Sequence, residues 1–400
     1  MLKKIQIDQL QLGMYVHNLD CDWMSHPFFR SRFMVKDDSA IQKIKQAGIR
    51  QLVIDTEKGL DCDAAATVDE VEASLQQSFE KVAEKKRPLP RQVSAAEEYT
   101  TARAIFTEAN QVIRTLLLDA RLGKQVELEK IAPITEKIVN SVFRNKDALI
   151  SLTRIKDRDQ YTFMHSVSVS GLMATFARAQ GFEREVIEQI VMGSLLHDIG
   201  KMMVPPEILN KPDKLTDAEF EIMKTHVVHS REILSTTAGI TQAALDVAAM
   251  HHERHDGTGY PLGLKGDQIS EIGHMSSIVD VYDALTSVRC YKDAWEPAQT
   301  LKKLLEWSHT HFRQDLVESF IRCLGIYPVG SLVQLQSGLV GIVLEQNESD
   351  LLRPDLRIIY NSRSESYVPI KDLKLRKRPE DRIVQAISPD KYHIDLGAFI

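Results

Sequence analysis

Cysteine is scarce, with four in 400 residues. Cys21, Cys62, Cys290 and Cys323 stand far apart with no CxxC pair, which argues against a disulfide framework and against a thiolate zinc site. Any metal must then rely on histidine and carboxylate. Long apolar runs are also missing, since nothing approaches the roughly 18 uninterrupted apolar residues of a membrane span. Residues 1–5, Met-Leu-Lys-Lys-Ile, hold no stretch apolar enough for a secretory signal, so a cytoplasmic location is expected. A basic surplus is the third absence. The formal charge of -6 argues against general nucleic-acid binding, because proteins that track phosphate usually carry net positive charge. Local basic positions can still grip a small anion.

What remains is a globular chain, 26% charged, with room for two or three domains. Residues 1–60 mix short extended runs, Met14-Tyr-Val-His and Gln51-Leu-Val-Ile-Asp, with one amphipathic stretch over 39–48 that Gly48 ends, and read as a small α+β module. Residues 61–95 turn acidic, alanine-rich and then basic around Pro88 and Pro90, as a connecting segment with some helix does. From 96 to 325 the pattern is helical: Ile105, Ala109, Val112, Ile113, Leu116 and Leu117 recur at the spacing of one buried face. Residues 326–400 change to Val-, Leu- and Ile-rich runs split by Gly, Asn, Ser and Pro, a short β-rich tail. The fold class expected is therefore mainly α, a helical bundle between two small modules.

Histidine is the abundant signal. Eight of the 13 histidines fall between 165 and 274, beside carboxylates in short motifs. His165 follows Tyr-Thr-Phe-Met, His197-Asp198 opens His-Asp-Ile-Gly-Lys, and His226 stands in Lys-Thr-His-Val-Val-His. His251-His252 opens His-His-Glu-Arg-His, and Asp280 stands in Ile-Val-Asp-Val-Tyr-Asp. Helices packed side by side can aim one or two such ligands each at a common interior point. Imidazole and carboxylate without thiolate suit iron, manganese, nickel, cobalt or zinc. An adjacent His-Asp pair lets the carboxylate span two ions about 3.5–4 Å apart, a spacing suited to in-line phosphoryl displacement.

Over about 150–325 these motifs resemble the HD-GYP family, a branch of the HD phosphohydrolases, with the helical bundle that implies. The signature loop stands as His255-Asp-Gly-Thr-Gly259-Tyr260-Pro261. The resemblance implies a centre of two divalent ions, iron or manganese first among them, held by His165, His197, Asp198, His226, His251, His252 and Asp280, with Asp198 bridging. It implies hydrolysis of cyclic di-GMP, and in some members of 3′3′-cyclic GMP-AMP, to the linear dinucleotide or the mononucleotide through a metal-bridging hydroxide. Asp198 and Lys201 would be the catalytic pair, with Lys201 beside the scissile phosphate. Arg289 and Lys292 match the family's grip on the other phosphate. The Gly259-Tyr260-Pro261 loop would shape or cover the site, or contact signalling partners, as would the terminal modules. Leu10-Gln-Leu-Gly-Met-Tyr-Val16 resembles the small domain of unknown role that often precedes HD-GYP domains.

Members with a third metal carry glutamate where this chain has Tyr161, so two ions are expected. Cys290 replaces a common proline after Arg289. His229 and His255 lie outside the family's ligand set and read as solvated or supporting. Asp283, three residues after Asp280, can either orient a ligand or stabilise its own helix. The basic run Lys374–Arg378 reads as a solvated face. Two rival readings stay open here: a hydrolase of another phosphoester, and a non-catalytic cyclic-dinucleotide receptor.

Overall fold

The computed structural model describes residues 1–19, 32–84, 90–153, 161–287, 294–308 and 310–399. They fall into two compact units, Met1–Glu80 and Lys81–Ile400. Among the described residues no helix is long and apolar enough to cross a membrane.

The first unit is an antiparallel sheet with one helix. Strands β1 (Leu2–Gln6), β2 (Tyr15–Asn18) and β3 (Phe33–Met34) precede α1 (Asp38–Gln46) and β4 (Gln51–Asp55), and pair in the order β1-β4-β2-β3. Period-two alternation turns Leu52 and Ile54 inward onto Ile5 and Val16. The Asp37 side chain caps α1 by accepting from the Ala40 amide at 3.0 Å, and Gly48, with φ of +72°, takes the left-handed turn that stops it. The segment expected to connect, 61–95, contains α2 (Val68–Glu84).

In the second unit α3 (Ala95–Arg121) starts at a reciprocal Ser94–Glu97 capping box and buries Ile105, Ala109, Ile113, Leu116 and Leu117. It packs on α4 (Leu128–Leu152). Next come α5 (Tyr161–Gln180), α6 (Arg184–Leu196), a 3-10 turn (Ile199–Met203), α7 (Pro206–Leu209), α8 (Asp217–Ser235) and α9 (Gln242–Met250). After a long loop, α10 (Glu271–Thr286), α11 (Pro297–Trp307) and α12 (Gln314–Leu324) complete the helices. Helix α5 packs against α4, α6 and α10, α6 against α9, and α8 against both α9 and the 3-10 turn. The helix ends that carry histidine therefore converge.

Strands β5 (Leu332–Leu335), β6 (Leu339–Glu345), β7 (Asp355–Asn361), β8 (Ser366–Lys374) and β9 (Ile383–Ala386) form one antiparallel sheet ordered β8-β7-β6-β5-β9. Its core is Leu332, Val340, Ile342, Ile359 and Tyr360. A polar joint fixes it to the helices. Asn145 breaks the regular backbone of α4 (φ -159°, ψ 111°), and its amide donates to Glu345 Oε1 and to the Val93 carbonyl, both at 2.9 Å. Buried Asp147 accepts from the Gln346 amide at 3.0 Å and pairs with Lys146 at 2.9 Å, while Arg91 reaches Glu345 at 2.8 Å.

Candidate metal centre

Six elements supply the seven residues. His165 lies one turn into α5, His197 caps the C-terminus of α6, and Asp198 starts the 3-10 turn. His226 lies on α8, His251 at the end of α9 with His252 following, and Asp280 on α10. Close backbone approach makes this convergence possible. A side chain at Gly200 would stand 2.0 Å from the His226 carbonyl oxygen, so only glycine lets the Asp198 turn rest on α8.

All seven side chains are brought together. His165, His197, Asp198, His226 and His251 are at most 2% exposed, Asp280 is 6% exposed, and His252 is half-buried. Three groups have ligand atoms within 4.8 Å of one another: His165, His197 and Asp280; His226, His251 and His252; and His197, Asp198 and His251, which joins the other two. The two oxygens of Asp198 face opposite sides. Oδ1 lies 3.5 Å from His226 Nε2 and 3.8 Å from His251 Nε2, whereas Oδ2 lies 3.4 Å from His197 Nε2 and 3.8 Å from His165 Nε2.

Backbone bonds set the tautomers. His197, His226 and His251 each donate from Nδ1 to the carbonyl three residues earlier, Ser194 at 2.7 Å, Met223 at 2.7 Å and Ala248 at 2.9 Å. A carbonyl can only accept, so Nδ1 holds the proton and Nε2 keeps a bare lone pair. His165 is oriented by Asp283 Oδ2 at 2.7 Å from its Nδ1.

The result is an excess of acceptors. His226 Nε2 and His251 Nε2 face each other at 3.4 Å with no proton to share, and the buried His197 Nε2 and Asp198 Oδ1 have no hydrogen-bond partner. Buried lone pairs in mutual contact repel unless a cation lies among them. The donor set is nitrogen and oxygen, the chemistry of a divalent first-row metal, and these residues fit one.

Electrostatics favour the ligating protonation states of His226, His251, His252 and Asp198. Burial pushes His226 down to about 4 and His251 down to about 3, and holds His252 well below the ordinary imidazole range. Burial works the other way on Asp198, yet the Lys201 ammonium at 2.5 Å and the His197 ring outweigh it and hold the carboxyl well below its usual range. His197 is raised instead, because Asp198 and Asp280 overcome its burial.

Lys201 thus bonds the carboxylate that faces both histidine groups. Tyr161 lies in the first turn of α5, and Arg289 and Lys292 lie outside the described residues. His229 and His255 stand outside the cluster, His229 beside Glu232 and His255 against His274. In the signature loop Gly259 is required, since a Cβ there would stand 2.4 Å from the Arg254 amide nitrogen. Tyr260 lays its ring 4.7 Å from that of His252, and the Tyr260–Pro261 peptide is cis. Sequence reasoning missed Glu253, which is 1% exposed and accepts from the Leu262 and Leu264 amides at 2.8 and 2.9 Å. A carboxylate inside His-His-Glu-Arg-His, just before a glycine-rich loop, is the signal that marks it.

Comparison with known proteins places this site in a lineage. Family models described as "HD domain" and "Domain of unknown function (DUF3391)" match residues 143–316 and 2–131. The cyclic di-GMP phosphodiesterase PA4108 of Pseudomonas aeruginosa is 38% identical over 96% of this chain and 92% of its own. The 3′3′-cGAMP-specific phosphodiesterase 2 of Vibrio cholerae is 30% identical over 66% of this chain and 54% of its own. A solved structure of an HDG"Y"P protein from Bdellovibrio bacteriovorus is 16% identical and covers 80% of this chain and 98% of its own, with a TM-score of 0.47. With 38% identity over nearly the full length of one relative and an HD-domain match that spans the whole histidine cluster, the chain belongs to the HD-domain family.

Proposed function

We propose that this protein is a metal-dependent phosphodiesterase that hydrolyses cyclic di-GMP, and 3′3′-cyclic GMP-AMP as a second substrate, to the linear dinucleotide, with or without a second cut to the mononucleotide. The observation that carries the reading is the opposed pair of oxygens on Asp198, each facing its own histidine group. The names and identities of the two relatives support the substrate class.

In this reading His165, His197 and Asp280 on one side of Asp198, and His226, His251 and His252 on the other, would hold the ions together with Asp198. When bound, two divalent ions, iron or manganese by preference, supply Lewis acidity that acidifies water and neutralises a phosphate. Asp283 keeps the His165 ring turned, through the 2.7 Å bond to Nδ1, so that Nε2 stays available. Lys201 keeps a positive charge beside Asp198 and offsets the charge that builds on the reacting phosphate. Burial of the imidazoles excludes bulk water, and the Met223 and Ala248 carbonyls keep the His226 and His251 protons on Nδ1. On sequence grounds Arg289 and Lys292 grip the second phosphate.

The test is chromatography of products after incubation of protein, loaded without oxygen with iron or manganese, with cyclic di-GMP, cyclic GMP-AMP and a mononucleotide phosphoester. Linear dinucleotide or mononucleotide from the cyclic substrates is expected. Cleavage of the mononucleotide ester alone would overturn the substrate class.

A further inference from the structure

Beside the metal-holding residues lies an aromatic corner that the metal chemistry does not use. Phe220 and Lys224 stand four residues apart on α8, and therefore on one face of it, just before His226. The Phe220 ring meets that of Tyr260 at 81°, with centroids 6.3 Å apart. Lys224 Nζ sits 5.3 Å from the Phe220 centroid and 5.7 Å from that of Tyr260. Its ammonium also pairs at 2.6 Å with the exposed Glu221, and the lysine side chain is 25% exposed. Tyr260 in turn lies 4.7 Å from the His252 ring and 6.5 Å from the His226 ring, so the corner opens directly off the metal-holding imidazoles.

We infer that Phe220, Lys224 and Tyr260 form a purine subsite in which the rings seat one base of the substrate and Lys224 favours guanine over adenine. The inference rests on the cyclic-dinucleotide reading above and deepens it. All three residues are half-buried, so ring surface stays open to a ligand, whereas a purely structural staple would be sealed. Stacking on an aromatic face is tolerant of base identity, because every base has a π-face. The ammonium is not tolerant. Its donors suit the neighbouring O6 and N7 acceptors of guanine, whereas adenine sets an N6 donor beside N7. Two kinds of selectivity are thus divided between two kinds of side chain.

The experiment measures KM, kcat and Kd for cyclic di-GMP, cyclic GMP-AMP and cyclic di-AMP on wild type, Phe220→Ala, Lys224→Ala and Lys224→Gln, with bound metal and Tm recorded for each. Phe220→Ala is expected to raise Kd roughly tenfold for all three nucleotides alike. Both Lys224 variants are expected to weaken cyclic di-GMP roughly tenfold and cyclic di-AMP little, with the loss in KM rather than kcat and with metal content and Tm at wild-type values. Equal weakening of all three nucleotides by the Lys224 variants, or no change in either parameter, would overturn the inference. A wild type that binds cyclic di-GMP without cleaving it would sink the hydrolase reading and leave the Kd ratios to decide the subsite. Neither binding nor cleavage would sink both.

Discussion

Two of the polar clusters that the second unit buries are built on opposite rules. At the joint between α4 and β6 the charges are matched: Lys146 and Arg91 lie 2.9 and 3.6 Å from Asp147, and the Asn145 side chain and the Gln346 backbone amide donate to Glu345 and Asp147. Burial alone would raise the Asp147 carboxyl, but those two cations keep it lowered. The histidine cluster is as dry, yet the Nε2 atoms of His226 and His251 face each other with no proton between them, and His197 Nε2 and Asp198 Oδ1 find no hydrogen-bond partner. A cluster that satisfies itself holds parts together; one that is short of positive charge holds something else.

The largest effect that sharpens the contrast is loss of a ligand. His251→Ala is expected to lower turnover about a thousandfold, since several kcal/mol of electrostatic assistance depend on the bound ions, and to lower bound metal by elemental analysis. At the joint, Asp147→Ala is expected to destabilise the fold by about 3–5 kcal/mol in denaturant titration, because Lys146 is left buried without its partner. Metal per folded chain should not change there; joint loss of both would break the comparison. Between the two in kind is Asp283→Asn, which removes the carboxylate bonded to the His165 ring. It should reduce metal affinity about 10- to 100-fold in competition with a chelator.

The smallest effect is on pH dependence. Burial pushes His274 down to about 4, against the opposing bond from its Nε2 to the Gly266 carbonyl at 3.1 Å. An unfolded histidine titrates near 6.5, so between about 6.5 and about 4 the unfolded chain binds a proton that the folded chain does not. Stability contributed by neutral His274 is therefore present above that window and lost as pH falls through it. In chelator, a His274→Gln protein should lose less Tm than wild type from pH 6.5 to pH 4; equal slopes would contradict the assignment.

Much of this was legible in advance because the relevant signals are local. The Gly48 stop of α1, the buried face of α3 and the seven residues that cluster stood in residue spacing and motif. Asp283 was placed on the right face by its three-residue distance from Asp280, although only the fold brings His165 to it. Features that depend on partners distant in sequence were not legible. Asn145 interrupts α4 to meet Glu345, 200 positions away. Strand β8 escaped notice because it is an edge strand with Pro369 within it and with Tyr367 and Ile370 facing solvent, so it lacks apolar alternation. Glu253 shows its role only when the loop folds back onto it.

One measurement tests the central claim most directly: metal per chain and cyclic di-GMP turnover, determined together on wild type and Asp198→Ala purified without oxygen. Two ions and hydrolysis in the wild type, with both reduced in the variant and turnover abolished, are the expected result. Full hydrolysis by the Asp198→Ala protein, with or without its metal, would contradict the account.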